Sequence, residues 1–259
     1  MKDLVERQRR HFDGVAERYV AARRTPNHLL LKELIWSEFL SDKRYLAQQC
    51  PRVLELMCGL GEGYSILRQH AYSGDFDYLG IDYSQPMIDA AREYHPGLSF
   101  ERGDVTAFEP LPGQNDLIVL IGGLHHVHAQ CALVISRLSA ALRPGGFFLS
   151  FEPTHDCWMT RRVRERIYKK NALFDAESER GFEMHELESL FSSHGFRCVD
   201  QVYAGLLAYV LYYNPDAFPR LNLGAARMVR AAFRFDRLFW RGWLGRKLSF
   251  ATIGLWQKT

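Results

Sequence analysis

Glu55-Leu56-Met57-Cys58-Gly59-Leu60-Gly61-Glu62-Gly63 is the stretch on which the fold turns. In front of it and into it, Arg52–Met57 is a short apolar run that reads as a strand. The turn Cys58–Gly63 follows, and a helix reads on through about His70. Without a Cβ, glycine lets the backbone of a strand-to-helix turn come close to a ligand. Dinucleotide, flavin and nucleoside sites all use such turns, so this segment alone sets an α/β class and leaves the ligand open.

Outward from the turn, strands and helices alternate. Tyr78–Ile81 and Leu98–Glu101 read as strands on either side of a helix over Pro86–His95, with Pro86 suited to a first helical turn. Asp116–Ile121 is nearly all apolar, as a central strand covered on both faces requires. A helix from about Ala129 to Leu142 stops at Arg143-Pro144-Gly145-Gly146, and Phe147–Phe151 is the fifth strand. Glu183–His194 is an amphipathic helix, and Phe196–Tyr203 and Ser249–Trp256 are the last two strands. The alternation predicts a doubly wound α/β sheet with helices on both faces.

Acidic and glycine residues recur where strands end. Asp82 ends the second strand, where a carboxylate can accept from two ribose hydroxyls. Asp104 follows the third, Gly122-Gly123-Leu124-His125 leaves the fourth, and a Leu-Arg-Pro-Gly-Gly turn precedes the fifth. In these features the chain resembles the class I S-adenosylmethionine-dependent methyltransferases, in particular their small-molecule branch. The resemblance runs from about Val53 to Phe151 and extends loosely to the terminal strands.

It implies a Rossmann-like, seven-stranded, mostly parallel sheet with an antiparallel last strand. It also implies S-adenosyl-L-methionine as cofactor, with Glu55, Gly59 and Gly61 around its methionine part and Asp82 on its ribose. Tyr83 and Met87 would line the adenine, Asp104 with Gly103 and Val105 would meet its amino group, and Gly122 would border the site. Met57 stands where the family usually has its first glycine. From the N-terminal region, Tyr19 would cover the cofactor's carboxylate end and Arg23 would neutralise it.

The expected reaction is methyl transfer to O or N of a small acceptor, such as a sugar or natural-product intermediate. His125 and His126 follow the central strand on the carboxyl edge and are candidate bases, because imidazole titrates near neutrality. His155, with Glu152, is the second choice. A zinc site from His125, His126 and His128 has no matching Cys or His pair nearby, so no metal is expected. Two other readings compete: a nicotinamide oxidoreductase, and a non-catalytic scaffold. Against the first, Tyr64 occupies the final glycine's place of the dinucleotide pattern.

A net charge of +3 excludes a chain that is wholly an electrostatic nucleic-acid binder. Five scattered cysteines with no CxxC pair fit a reducing, cytoplasmic setting. The N-terminus has no signal-peptide core, and the longest apolar runs fall short of the roughly 20 residues of a spanning helix. The chain divides into an N-terminal helical lid (1–50), a cofactor-binding core (51–205 with 248–259) and a helical insertion (206–247). In the insertion Arg227, Arg230, Arg234, Arg237 and Arg241 recur on one arc roughly 80° wide. Met228, Ala232, Phe235, Phe239 and Trp243 define the expected apolar side, with Asp236 among them. Such a helix over 227–243 serves as a lid over the active-site mouth, a subunit interface, or a peripheral membrane contact, in a monomer or homodimer.

Overall fold

A computed structural model describes residues 21, 23–170, 180–215, 218 and 220–259. Two helices, α1 (Pro26–Leu40) and α2 (Tyr45–Gln49), lead into β1 (Arg52–Leu56) and α3 (Glu62–His70). Then come β2 (Asp77–Asp82), α4 (Gln85–Tyr94), β3 (Ser99–Arg102) and β4 (Asn115–Ile121). A tight 3-10 segment, Leu124–Gln130, precedes α5 (Cys131–Ala141), so the helix expected from Ala129 starts slightly later. β5 (Leu142–Pro153), α6 (Trp158–Lys170), α7 (Met184–Ser193) and β6 (Phe196–Val202) follow. The chain closes with α8 (Leu207–Tyr212), α9 (Ala226–Arg237), α10 (Trp243–Leu248) and β7 (Ala251–Lys258).

The strand order is β3-β2-β1-β4-β5-β7-β6. All pairs from β3 to β5 are parallel, while β7 runs antiparallel to both β5 and β6. This is the seven-stranded doubly wound sheet that the sequence implies. β1 pairs β2 on one side and β4 on the other, so the chain reverses its winding direction between β1 and β4. Open α/β sheets bind ligands at the carboxyl ends of the strands flanking such a point.

Burial explains why these segments are strands. Leu117, Ile118, Val119 and Leu120 are all fully buried, and their side chains alternate between two cores, one on each sheet face. One core joins Val119 and Leu149 to Leu31, Ile35 and Trp36 of α1. The other joins Ile118 and Phe148 to Val134 and Leu138 of α5 and Phe191 of α7. Trp256 fixes β7 there, stacking on Phe191 at 4.3 Å and donating its indole N–H to Ser150 Oγ at 3.1 Å. The expected breaker at Arg143–Gly146 instead lies within β5. Leu142 pairs Asn115, the register slips across the Pro-Gly-Gly, and pairing resumes at Phe147.

The insertion departs most from expectation. The basic helix ends at Arg237 and a second begins at Trp243. Its buried stripe is Val229, Phe233 and Asp236, continued by Trp240, whereas Met228, Phe235 and Trp243 of the expected apolar side are exposed. Asp236 supplies the reason. Its Oδ1 accepts from Leu207 N at 3.1 Å and its Oδ2 from Ala208 N at 2.7 Å, satisfying two otherwise orphaned donors of α8. That bond turns α9 about a quarter turn from the orientation that burying every apolar residue would give. The helix packs on α1 and α8, and Arg237 reaches Glu38 at 3.0 Å.

Replacing Asp236 by alanine strips the α8 amides of their acceptor. Asp236→Ala is therefore expected to lower the unfolding free energy by about 1–2 kcal/mol in urea titrations. An unchanged midpoint and slope would refute the anchoring role.

Candidate active site

Beneath the turn after β1, Glu55 is buried and surrounded by donors. Its Oε1 accepts from Gly63 N at 2.8 Å, and its Oε2 from Tyr64 N at 3.1 Å and the Tyr78 hydroxyl at 2.6 Å. Burial pushes its carboxyl up to about 7, against the pull of these bonds. Glu55, expected beside the methionine part of the cofactor, lies directly beneath the turn. Its oxygens face the turn, and it acts by holding that turn. Gly63 is required by this closeness, because a Cβ there would lie 2.7 Å from Glu55 Cδ and from Val119 Cγ1.

Met57, the departure from the family pattern, has φ +53°, in the left-handed region that favours glycine. The turn therefore keeps the backbone path of a glycine, at a cost of about 1–2 kcal/mol in a non-glycine residue. Gly59 (φ +53°) and Gly61 (φ +75°) follow, and a Cβ on Gly59 would meet no heavy atom within 4 Å. Open space above Gly59 is what a ligand at this turn needs.

Asp82 ties this turn to the next. Its Oδ2 accepts from Gly59 N and its Oδ1 from Ser84 N, both at 2.9 Å. Burial raises its carboxyl above the ordinary value. Gly103 N donates to Asp82 O at 2.9 Å, bringing the third strand's end alongside. Asp104 Oδ1 accepts from Thr106 N and Oγ1 at 2.8 and 2.7 Å, and Val105 beside it is buried. Met87 is buried in the first turn of α4, while Tyr83 is half-buried with the Arg102 guanidinium 6.0 Å over its ring.

The turn after β4 repeats the arrangement under β1. Gly122 has φ +66° and donates to Phe151 O. Glu152, fully buried in β5, accepts from Gly123 N at 3.0 Å, Leu124 N at 2.9 Å and His125 N at 3.3 Å. Burial pushes it up to about 7, against those amides and the charge of His126. Its Oε2 also lies 3.1 Å from His125 Nδ1. The His125 and His126 rings are 3.9 Å apart, and His126 is near enough to Asp82 and Glu152 for its charge to act on both. The sequence weighed Glu152 only as a reserve base. Its signal was a lone carboxylate in the apolar run Phe147–Pro153, where burial without partners would be prohibitive.

His155 stands apart from this pair. It is buried with Nδ1 turned toward Gly181, and burial with Arg164, Arg161 and Arg180 drives its imidazole down to about 4. Tyr19 lies outside the described residues. Arg23 donates to Tyr213 O at 2.8 Å and Asn214 Oδ1 at 3.3 Å. Beside it is a group that sequence reading missed. His28 is buried, its Nδ1 2.7 Å from Tyr213 O, and burial with Arg23 lowers its imidazole to about 4. Lys32 lies 3.3 Å from Glu62 at the head of α3. Against the upward push of burial, Lys32, His28 and Arg23 hold Glu62 below its ordinary value. Among the described residues no cluster of three or more His, Cys, Asp or Glu is placed to hold a metal.

Residues 53–146 match a family model described as a methyltransferase domain. A trans-aconitate 2-methyltransferase from Delftia acidovorans is 35% identical over 121 residues, 46% of this chain and 44% of that protein. A fatty-acid O-methyltransferase from Mycolicibacterium smegmatis is 34% identical over 100 residues, 38% of this chain and 35% of that protein. The aligned stretches thus span less than half the length of these relatives. A solved S-adenosylmethionine-dependent methyltransferase from Thermotoga maritima superposes with a TM-score of 0.65. That match covers 96% of this chain and 99% of the other at 14% identity, so it is a likeness of fold.

The protonation of Glu152 gives a test of the turn's anchor. Its folded value, about 7, lies above the ordinary 4.5, so its protonated form favours the fold. That contribution is full below pH 4.5 and is lost as pH rises through 7. Glu152→Gln, which cannot titrate, should be the less stable protein at low pH. Its deficit should shrink by up to about 3 kcal/mol between those limits in urea unfolding. A deficit that stays constant or widens would contradict the assignment.

Proposed function

We propose that this chain is a class I, S-adenosylmethionine-dependent enzyme that moves a methyl group to an oxygen or nitrogen of a small-molecule acceptor; residues 53–146 match a methyltransferase-domain model, and the fold is that of a solved S-adenosylmethionine-dependent methyltransferase. The observation that carries the reading is Asp82, whose two oxygens bridge Gly59 N and Ser84 N at the ends of adjacent strands. A carboxylate offers about four acceptor sites, and the amides of Gly59, Tyr83 and Ser84 leave one for a ribose hydroxyl. The open space at Gly59 and the polar group formed by charged Arg23, Lys32 and Glu62 with the neutral imidazole of His28 fit the amino-acid end of the cofactor. Asp104 is the partner for the adenine amino group.

S-adenosylmethionine, when bound, supplies a methyl group already activated on a sulfonium centre. What remains for the protein is to align the acceptor and take its proton. His126, whose charge acts on both Asp82 and Glu152, is the favoured base. His125 is the more buried of the pair, and its bond to Glu152 makes it a positioning residue for the turn. His155, driven neutral in a separate cluster, is not assigned a proton. The relatives are named for an aconitate and a fatty acid, which puts organic acids first among acceptors to try, ahead of sugars and natural-product intermediates. A nicotinamide reading is disfavoured by the antiparallel β7, since the dinucleotide sheet is typically parallel throughout. The five free thiols suit a cytoplasmic enzyme.

Transfer of labelled methyl groups to a panel of such acceptors tests the reading, and binding of S-adenosylhomocysteine without turnover on any acceptor would favour a scaffold. Asp82→Ala should weaken S-adenosylhomocysteine by about 1.5–3 kcal/mol in isothermal titration, with the fold intact. Equal affinity would remove Asp82 from the ribose. His126→Gln should leave that affinity unchanged while lowering kcat by about 100-fold or more and flattening its pH profile. Turnover retained across the pH range would leave alignment alone as the source of rate.

A further inference from the structure

The rotation of α9 that buries Asp236 exposes apolar side chains. Among the described residues, nine of the seventeen large apolar side chains left exposed fall between Leu207 and Leu248. Leu223 (66%), Leu238 (75%) and Trp243 (70%) are the most open, with Met228 and Phe235 on the same helix half exposed. Monomeric proteins scatter such residues singly, so this concentration calls for an occupant.

Charge identifies the occupant. Between Arg220 and Leu248 there are eight basic residues and one acidic, Asp236, whose oxygens are used by α8. Arg237, Arg241, Arg246 and Lys247 are met by Glu38, Asp200, Glu188 and Asp156. Arg227, Arg230 and Arg234 are exposed, one turn apart along α9, and form no ion pair with any described residue. On the solvent side of α9 this arginine row adjoins the exposed Met228, Phe235 and Leu238.

We propose that α9, the turn after it and α10 form a surface that docks on a membrane containing anionic lipid. Such a surface supplies both partners at once, phosphates for the arginines and acyl chains for Phe235, Leu238 and Trp243. A second copy of the chain fits badly, because a two-fold interface on this face would set the arginine rows against each other. The docking is peripheral: no helix among the described residues is long and apolar enough to cross a bilayer. It is independent of which acceptor is methylated.

The test is sedimentation of the full chain with vesicles of mixed phosphatidylglycerol and phosphatidylcholine, against phosphatidylcholine alone. The expected result is binding to the anionic vesicles only, fading as salt rises. Reversing Arg227, Arg230 and Arg234 to glutamate should lower partitioning by roughly 100-fold or more, at about fivefold per arginine removed. Phe235→Ser with Leu238→Ser should weaken it as well. Arginine-to-glutamine versions and thermal melts by circular dichroism separate lost docking from lost fold. A wild-type chain left in the supernatant at low salt, equal binding to neutral vesicles, or binding that survives both sets of substitutions would overturn the proposal. So would recruitment by an acidic protein in place of vesicles.

Discussion

A turn that offers its amides to a ligand cannot also use them to hold itself together, and this protein resolves the conflict from below. Glu55 and Glu152 are both fully buried side chains that accept backbone N–H groups from glycine turns at the carboxyl edge of the sheet, Glu55 after β1 and Glu152 after β4. Each is held by backbone amides, joined for Glu55 by the Tyr78 hydroxyl and for Glu152 by the imidazole of His125 and the charge of His126. In a low-dielectric interior such bonds are strong, and the bare carboxylate is correspondingly costly. The upward displacement of both groups to about 7 is the trace of that tension. Gly59 lies in the turn that Glu55 holds at Gly63 and Tyr64, and His126 follows the turn that Glu152 holds at Gly123, Leu124 and His125.

Much of this was legible in sequence, for a definable reason. Strands buried on both faces read as unbroken apolar runs, so β1, β4 and β5 could be located and their order inferred. Asp82 was legible because its place at a strand end fixes where its carboxylate lies. Glu55 was located, and the packing beneath the turn adds the amides and the hydroxyl that it holds. A residue's spacing from a glycine turn says that it is near the ligand, while only the third dimension says whether it lies above the turn or beneath it. Met57 is the converse case. Its identity breaks the family pattern, yet its φ of +53° preserves the backbone that the pattern encodes.

The insertion was read less well because periodicity weighs hydrophobicity and ignores what one buried polar bond can do. A bare carboxylate on an apolar face is a penalty, and the arc containing Met228 and Phe235 looked like the buried side. Two unsatisfied amides at the start of α8 turned that penalty into an attachment point. Similarly, His28 lies in a helix with no sequence link to the glycine turn, and only the packing of α1 over the sheet brings it beside Glu62.

The short helix α8 then connects the surface proposed for lipid to the site proposed for the cofactor. Its first amides are held by Asp236 of the outward-facing basic helix, while the carbonyl of Tyr213, at its other end, accepts from Arg23 and His28 beside the head of α3. The Tyr213 ring also packs edge-on against His28, and against Phe151 near the end of β5. A helix of only six residues has little internal hydrogen bonding of its own, so both ends depend on these outside partners. Any displacement of α9 along α1 must carry Asp236, and with it the end of α8 that determines where Tyr213 stands. The surface proposed for lipid and the site proposed for the cofactor's amino-acid end are therefore joined by two buried bonds and a single turn and a half of helix.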